Sequence, residues 1–245
     1  MTLQTTKTVR ELALEIPGAT RVFERLGIDY CCGGAKSLAD ACATRSLSAE
    51  EVIEQLKEEG ETSFGAVTEA KDFTRLTMTE LISYIVNKHH AFTRQELQRL
   101  DALVNKVCSV HGESHGELLK VQALFRELAA DLQPHMLKEE MVLFPYVMRL
   151  EEAVLNNQPA PAPPPFMTVR NPVRMMSLEH DTAGDLLRGM REASSDYMVP
   201  ADACFSYRTL YRALEEFEQD LHQHIHLENN ILFPRAIELE DASNS

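Results

Sequence analysis

One phrase of eleven residues occurs twice in the chain. Residues 135–145 read HMLKEEMVLFP and residues 224–234 read HIHLENNILFP, so His-x-x-x-Glu-x-x-x-Leu-Phe-Pro recurs at an offset of 89 residues. A repeat of this length means that one structural unit is used twice, and the fold has to accommodate two equivalent halves. Within each copy His and Glu are four residues apart, which places them on one face of a helix.

The surroundings of both copies have helical period. Leu128, Leu132, Val142, Leu143, Tyr146 and Leu150 form an apolar stripe that also carries His135 and Glu139. Leu210, Leu214, Phe217, Leu221, Ile231 and Leu232 form a second stripe, carrying His224 and Glu228. A stripe that is otherwise apolar faces the core, so each copy sends an imidazole and a carboxylate inward. An ionised carboxylate buried without compensation costs several kcal/mol, and two would repel each other. No Lys or Arg falls on these stripes near the motif. Metal cations are the expected compensation.

Two further helical patterns offer the remaining ligands. His180 lies in line with Val173, Met176, Ala183, Leu187 and Met190, and His90 with Ile82, Val86, Leu97, Leu100 and Val104. The offset from His90 to His180 is 90 residues, close to that of the motif, and a leucine, Leu97 or Leu187, follows each by seven. This pairs His90 with His180 and makes His89 an outward neighbour. Four histidines and two glutamates from four helices suit iron or manganese, and bridging carboxylates imply two ions. Zinc fits less well, because there is neither a Cys-rich site nor HExxH. Glu140 has Asn229 as its counterpart, which argues against a paired ligand role. Glu179 is solvated or lines an entrance. His111, His115, His222 and His226 read as surface imidazoles. Pro145 and Pro234 read as packing kinks inherited from duplication.

The fold class expected is all-α. Helices are predicted over about 78–108, 117–152, 171–197 and 202–240, and the five prolines of NNQPAPAPPPFMTV, which begins at Asn156, predict a stiff crossover over 157–170. That is a four-helix bundle over 78–241. Residues 1–60 read as a small helical domain with capping boxes at Thr8/Glu11 and Ser48/Glu51, and a last helix ending at Gly60. Residues 61–77 read as a linker, with a further capping box, Thr77/Glu80, opening the bundle. The formal charge of -14 disfavours nucleic acid and anionic membrane surfaces as partners. No apolar run is long enough to span a bilayer, and MTLQTTKTVRELALEIPG lacks the apolar core of a signal peptide, so a cytoplasmic location is expected.

Of five cysteines, Cys108 and Cys204 read as small hydrophobes. Cys31 and Cys32 stand in DYCCGGAKSLADAC. Thiols near a helix start have lowered pKa values, and the glycines admit a partner or metal closely. A thiolate pair handling redox equivalents or iron, or a plain Gly-Gly turn, both satisfy this stretch.

A short unit with DYCCGG, followed by a bundle with HMLKEE…LFP and HIHLENNILFP, resembles the repair-of-iron-centres family of di-iron proteins, over about 12–236. The resemblance implies a hemerythrin-like four-helix bundle holding two non-haem iron ions, an oxo bridge being allowed. It further implies His90, His135, His180 and His224 as ligands, Glu139 and Glu228 as bridges, and Cys31 and Cys32 as redox or iron-transfer thiols. The function implied is repair of iron–sulfur clusters on client proteins after nitrosative or oxidative damage. Alternatives at the same site are a nitric oxide reductase and a sensor that binds oxygen or nitric oxide. A homodimer is left open.

Overall fold

The computed structural model describes residues 4–65, 72–159, 161–162 and 164–243, without the side chains of 61–65. Contacts divide the chain into two compact units, Met1–Thr77 with His222–Pro234, and Met78–Leu221 with Arg235–Ser245. Among the described residues there are helices and no strands, in keeping with an all-α chain.

The first unit begins with α1 (Val9–Glu15), α2 (Ala19–Leu26), α3 (Leu38–Thr44) and α4 (Ala49–Gly65). Local chemistry sets their ends. Both halves of the Thr8/Glu11 capping box form at α1. Gly27, at φ 63°, closes α2 in the left-handed conformation that glycine adopts without strain. The Ser37 side chain caps α3 by accepting from the Asp40 N–H. The helix expected to stop at Gly60 runs on to Gly65, so 61–65 is helical. Of the rest of the expected linker, 66–71 lies outside the described residues, and Phe73–Arg75 forms one 3-10 turn. Val9, Leu12, Val22, Phe23, Leu38 and Leu56 are buried together. Each such side chain contributes roughly 1.5–3 kcal/mol.

From Met78 onward the chain makes four long helical runs, the last of which passes through His222–Pro234 of the first unit. The first is α5 (Met78–Tyr84), a π-helical turn (Ile85–His90) and α6 (Ala91–His111). The second is α7 (Glu117–Lys138), a π turn (Glu139–Leu143) and α8 (Phe144–Leu155). The third is α9 (Arg170–Ala193), preceded by the crossover, of which Ala160 and Pro163 lie outside the described residues. The fourth is α10 (Phe205–Leu227), a π turn (Glu228–Leu232) and α11 (Phe233–Ser243). Helix α7 packs on α6 and α9, and α5 on α8. The fourth run joins through the Phe125–Phe217 ring pair and the bonds from Tyr207 Oη to Glu117 and from Arg191 Nε to Glu218.

Duplication also shows in how the runs begin. Glu151 accepts from the N–H groups of Met78 and Thr79 at 2.6 and 2.9 Å, satisfying the first turn of α5. Glu240 accepts from Val169 N–H at 3.0 Å, just before α9. The two carboxylates are 89 residues apart, the offset of the repeated phrase, and both are buried. Negative charge at a helix start also meets the positive end of its dipole.

The π turns correct the expected stripes. Each inserts an extra residue into the 3.6-residue period and so shifts the register of the face that follows. Val142, assigned to the inward stripe, is 48% exposed, while Leu143, Phe144 and Val147 are buried. Ile85 rather than Val86 is buried in the first run. Pro145 and Pro234 each occupy the second position of the helix that follows a π turn. Proline lacks the N–H that a widened turn leaves poorly placed, so it suits this junction.

Candidate metal centre

The six side chains singled out by pattern are all buried: His90, His135, Glu139, His180, His224 and Glu228. His90 closes the first π turn, and Glu139 and Glu228 open the second and third. The uninterrupted α9 delivers His180. Both oxygens of Glu139 are sealed from solvent. Its Oε2 stands 3.4 Å from Nε2 of His90 and 3.4 Å from Nε2 of His135. Nε2 of His180 and Nε2 of His135 converge at 3.1 Å, and Nε2 of His224 is 3.0 Å from Oε1 of Glu228.

These atoms form two groups whose members all lie within 4.8 Å of one another: His90, Glu139, His224 and Glu228, and His135, Glu139, His180 and Glu228. Both glutamates belong to both groups. Such a set of imidazoles and shared carboxylates, closed to water, is fitted to cations and costly without them. The donor set thus fits the group expected from the sequence.

A second layer of side chains was not legible beforehand. Glu140 accepts from Nδ1 of His90 at 2.6 Å and from Arg94 at 2.5 Å. Glu179 accepts from Nδ1 of His135 at 2.8 Å and from Lys138. Burial alone would raise these two carboxyls, but the hydrogen bonds from His and from the cation hold both below the usual range. An ionised carboxylate on Nδ1 fixes the proton there and turns the Nε2 lone pair inward. Glu179, read as solvated or at an entrance, therefore braces His135. In the sequence its one available signal is its place beside His180.

Several other expectations change. His89, expected to point outward, is fully buried in the first π turn, with Nδ1 3.0 Å from both oxygens of Asp220. His226 is buried rather than on the surface, bonded through Nδ1 to Asn230, and burial lowers its pKa to about 4. His222 is half-buried against Glu24, and His115 is half-buried between Glu117 and Asp202. His111 lies 3.1 Å from the sulfur of Cys204, which is exposed rather than a core hydrophobe. Cys31 and Cys32 do not sit at the start of α3, which begins only at Leu38. The Cys31 thiol is pushed well up, not down, by its hydrogen bond with Cys32, by burial and by the nearby Asp29 charge.

Fold and centre define a hemerythrin-like helical bundle with a His/Glu cation-binding centre. The hemerythrin HHE cation binding domain matches residues 81–236, and a domain of unknown function (DUF542) matches residues 5–59. The chain is 35% identical over 227 residues to a probable iron–sulfur cluster repair protein of Haemophilus influenzae, covering 93% of this chain and 95% of the relative. It is 34% identical over 231 residues to the iron–sulfur cluster repair protein YtfE of Pectobacterium atrosepticum, covering 93% and 95%. It is 31% identical over 225 residues to the iron–sulfur cluster repair protein ScdA of Staphylococcus haemolyticus, covering 92% and 95%. The chain belongs to this two-domain iron–sulfur cluster repair family. No helix among the described residues is long and apolar enough to cross a membrane.

Proposed function

We propose that this chain is a cytoplasmic di-iron protein that supplies iron to damaged iron–sulfur clusters on client proteins. The observation that carries the reading is the sharing of Glu139 and Glu228 by both four-residue groups, which supports two adjacent ion positions bridged by carboxylates. The names of the relatives support the repair role. The domains at work are the small unit over 1–60 and the bundle over 78–241.

Iron bound there would supply redox exchange and a transferable ion. The side chains of the chain do the rest. Glu139 and Glu228 would hold the ions between them, each offering two carboxylate oxygens as donors. His90 and His135 are held in one tautomer by Glu140 and Glu179, so Nε2 is ready to accept an ion without rotating. Arg94 and Lys138 carry those carboxylates to the surface and keep them ionised.

Metal analysis on protein purified without oxygen tests the proposal, beside repair of an iron–sulfur dehydratase inactivated by nitric oxide or peroxide. About two irons per chain and restored dehydratase activity are expected, with both lost in a Glu139→Ala, Glu228→Ala double variant. Iron unaffected by that variant would refute the centre. Iron present without repair would refute the role.

A further inference from the structure

A second group of metal-capable side chains lies in the first unit, in the loop between α2 and α3. One ligand atom each from Asp29, Cys31 and Cys32 lies within 4.8 Å of the others. Oδ1 of Asp29 accepts from the Cys32 N–H at 2.9 Å and is 3.5 Å from the Cys31 sulfur, which is 3.9 Å from that of Cys32. The glycines that follow let the loop fold back this far. A Cβ on Gly33 would stand 2.9 Å from the Asp29 carbonyl oxygen, and one on Gly34 would stand 2.9 Å from Oδ1 of Asn230. Gly33 is therefore required by the close approach of backbone, and Gly34 leaves room for Asn230 and the Tyr30 carbonyl.

The loop is held by the residues that follow Glu228. Nδ2 of Asn229 donates to the Cys31 carbonyl at 3.2 Å, and Nδ2 of Asn230 to the Tyr30 carbonyl at 2.9 Å. Nε of Arg10 donates to Oδ1 of Asn230 at 3.0 Å. In the first copy of the motif the same two positions are Glu140 and Met141. The second copy thus departs from the first where it grips the cysteine loop. Two thiols and a carboxylate brought together by dedicated contacts are mutually unfavourable as anions, and a cation reverses that balance.

We propose that Asp29, Cys31 and Cys32 form a second metal site, for a thiophilic divalent cation, anchored on Asn229 and Asn230. It goes beyond the iron-donating reading and does not require it. Binding displaces the protons of both thiols, so one divalent ion enters and two protons leave, with no electron transferred. Two sulfurs and one oxygen leave a fourth position open for an exchanging ligand, such as a client thiolate.

Cadmium is the probe, added without oxygen to full-length Cys204→Ser protein reduced with a phosphine. A thiolate-to-cadmium ultraviolet band saturating at one ion, with release of about two protons, is expected. The band should be lost in Cys31→Ser, Cys32→Ser, reduced in the half-buried Cys32→Ser alone, and weakened about tenfold in affinity in Asp29→Asn. It should persist in Glu139→Ala, Glu228→Ala, because imidazoles and carboxylates give no such band, and this separates the site from the His/Glu centre. No band in the starting protein, or an unchanged band in either cysteine variant, would overturn the proposal. Circular dichroism identifies an unfolded double variant, and Cys32→Ser then decides.

Discussion

Glu140 and Glu179 each accept a hydrogen bond from the outer nitrogen of a buried imidazole, at 2.6 and 2.8 Å, and each is tied to a surface cation. Glu139, one residue before Glu140, has both oxygens sealed from solvent. Adjacent glutamates therefore stand in different environments, one inside and one behind a ligand-capable histidine. Replacing Glu140 or Glu179 with Gln keeps shape and an acceptor oxygen but removes the charge that holds Nδ1–H. Iron affinity, measured by competition with a chromophoric chelator, should fall about 10–100-fold in each. Affinity equal to the parent would mean that these carboxylates are only surface partners of Arg94 and Lys138. Repetition brought out Glu139 and Glu228, because their spacing to His is local. Repetition hid Glu140, whose counterpart is Asn229, and Glu179, whose partner His135 is 44 residues away.

At the scale of helices, apolar period located four long runs, and it misplaced side chains wherever a π turn intervened. A period of 3.6 residues assigns Val142 inward and His89 outward, and a widened turn in each of the two runs reverses the assignment. The hydrophobic period carries no signal for such a turn; Pro145 and Pro234 mark two of the three, and the first has no proline. The starts of α5 and α9 depend on distant carboxylates, Glu151 and Glu240. Glu240 also accepts from Tyr146 Oη at 2.9 Å, and burial together with that bond raises the phenol from 10.0 to about 12. A pKa raised in the folded state gives stability that is complete below the unfolded value and is lost as pH rises through the folded one. Chemical denaturation should thus show a loss between about pH 10 and 12, up to about 2 kcal/mol, that Tyr146→Phe lacks. At pH 8 the variant should be less stable by about 1 kcal/mol. Parallel pH profiles for parent and variant would remove Tyr146 from this account.

For the molecule as a whole, the four helical runs each contribute to one buried set of imidazoles and carboxylates, so cation binding and folding are linked. If iron is the cation, at a free concentration a hundred times the dissociation constant it should add about 2.7 kcal/mol, read as a higher midpoint of denaturation. The same burial costs the metal-free protein stability, since the desolvation of Glu139 and Glu228 is met there by imidazoles rather than by cations. Replacing both by Gln, nearly isosteric and uncharged, should therefore raise the denaturation midpoint of metal-free protein and abolish the rise produced by iron. The two effects have opposite signs, which separates a functional centre from a structural polar cluster: if the carboxylates were part of the scaffold, the metal-free variant would be less stable than the parent. Loss of stability in metal-free Glu139→Gln, Glu228→Gln, with iron still raising its midpoint, would show that these residues hold the bundle together rather than hold its cations.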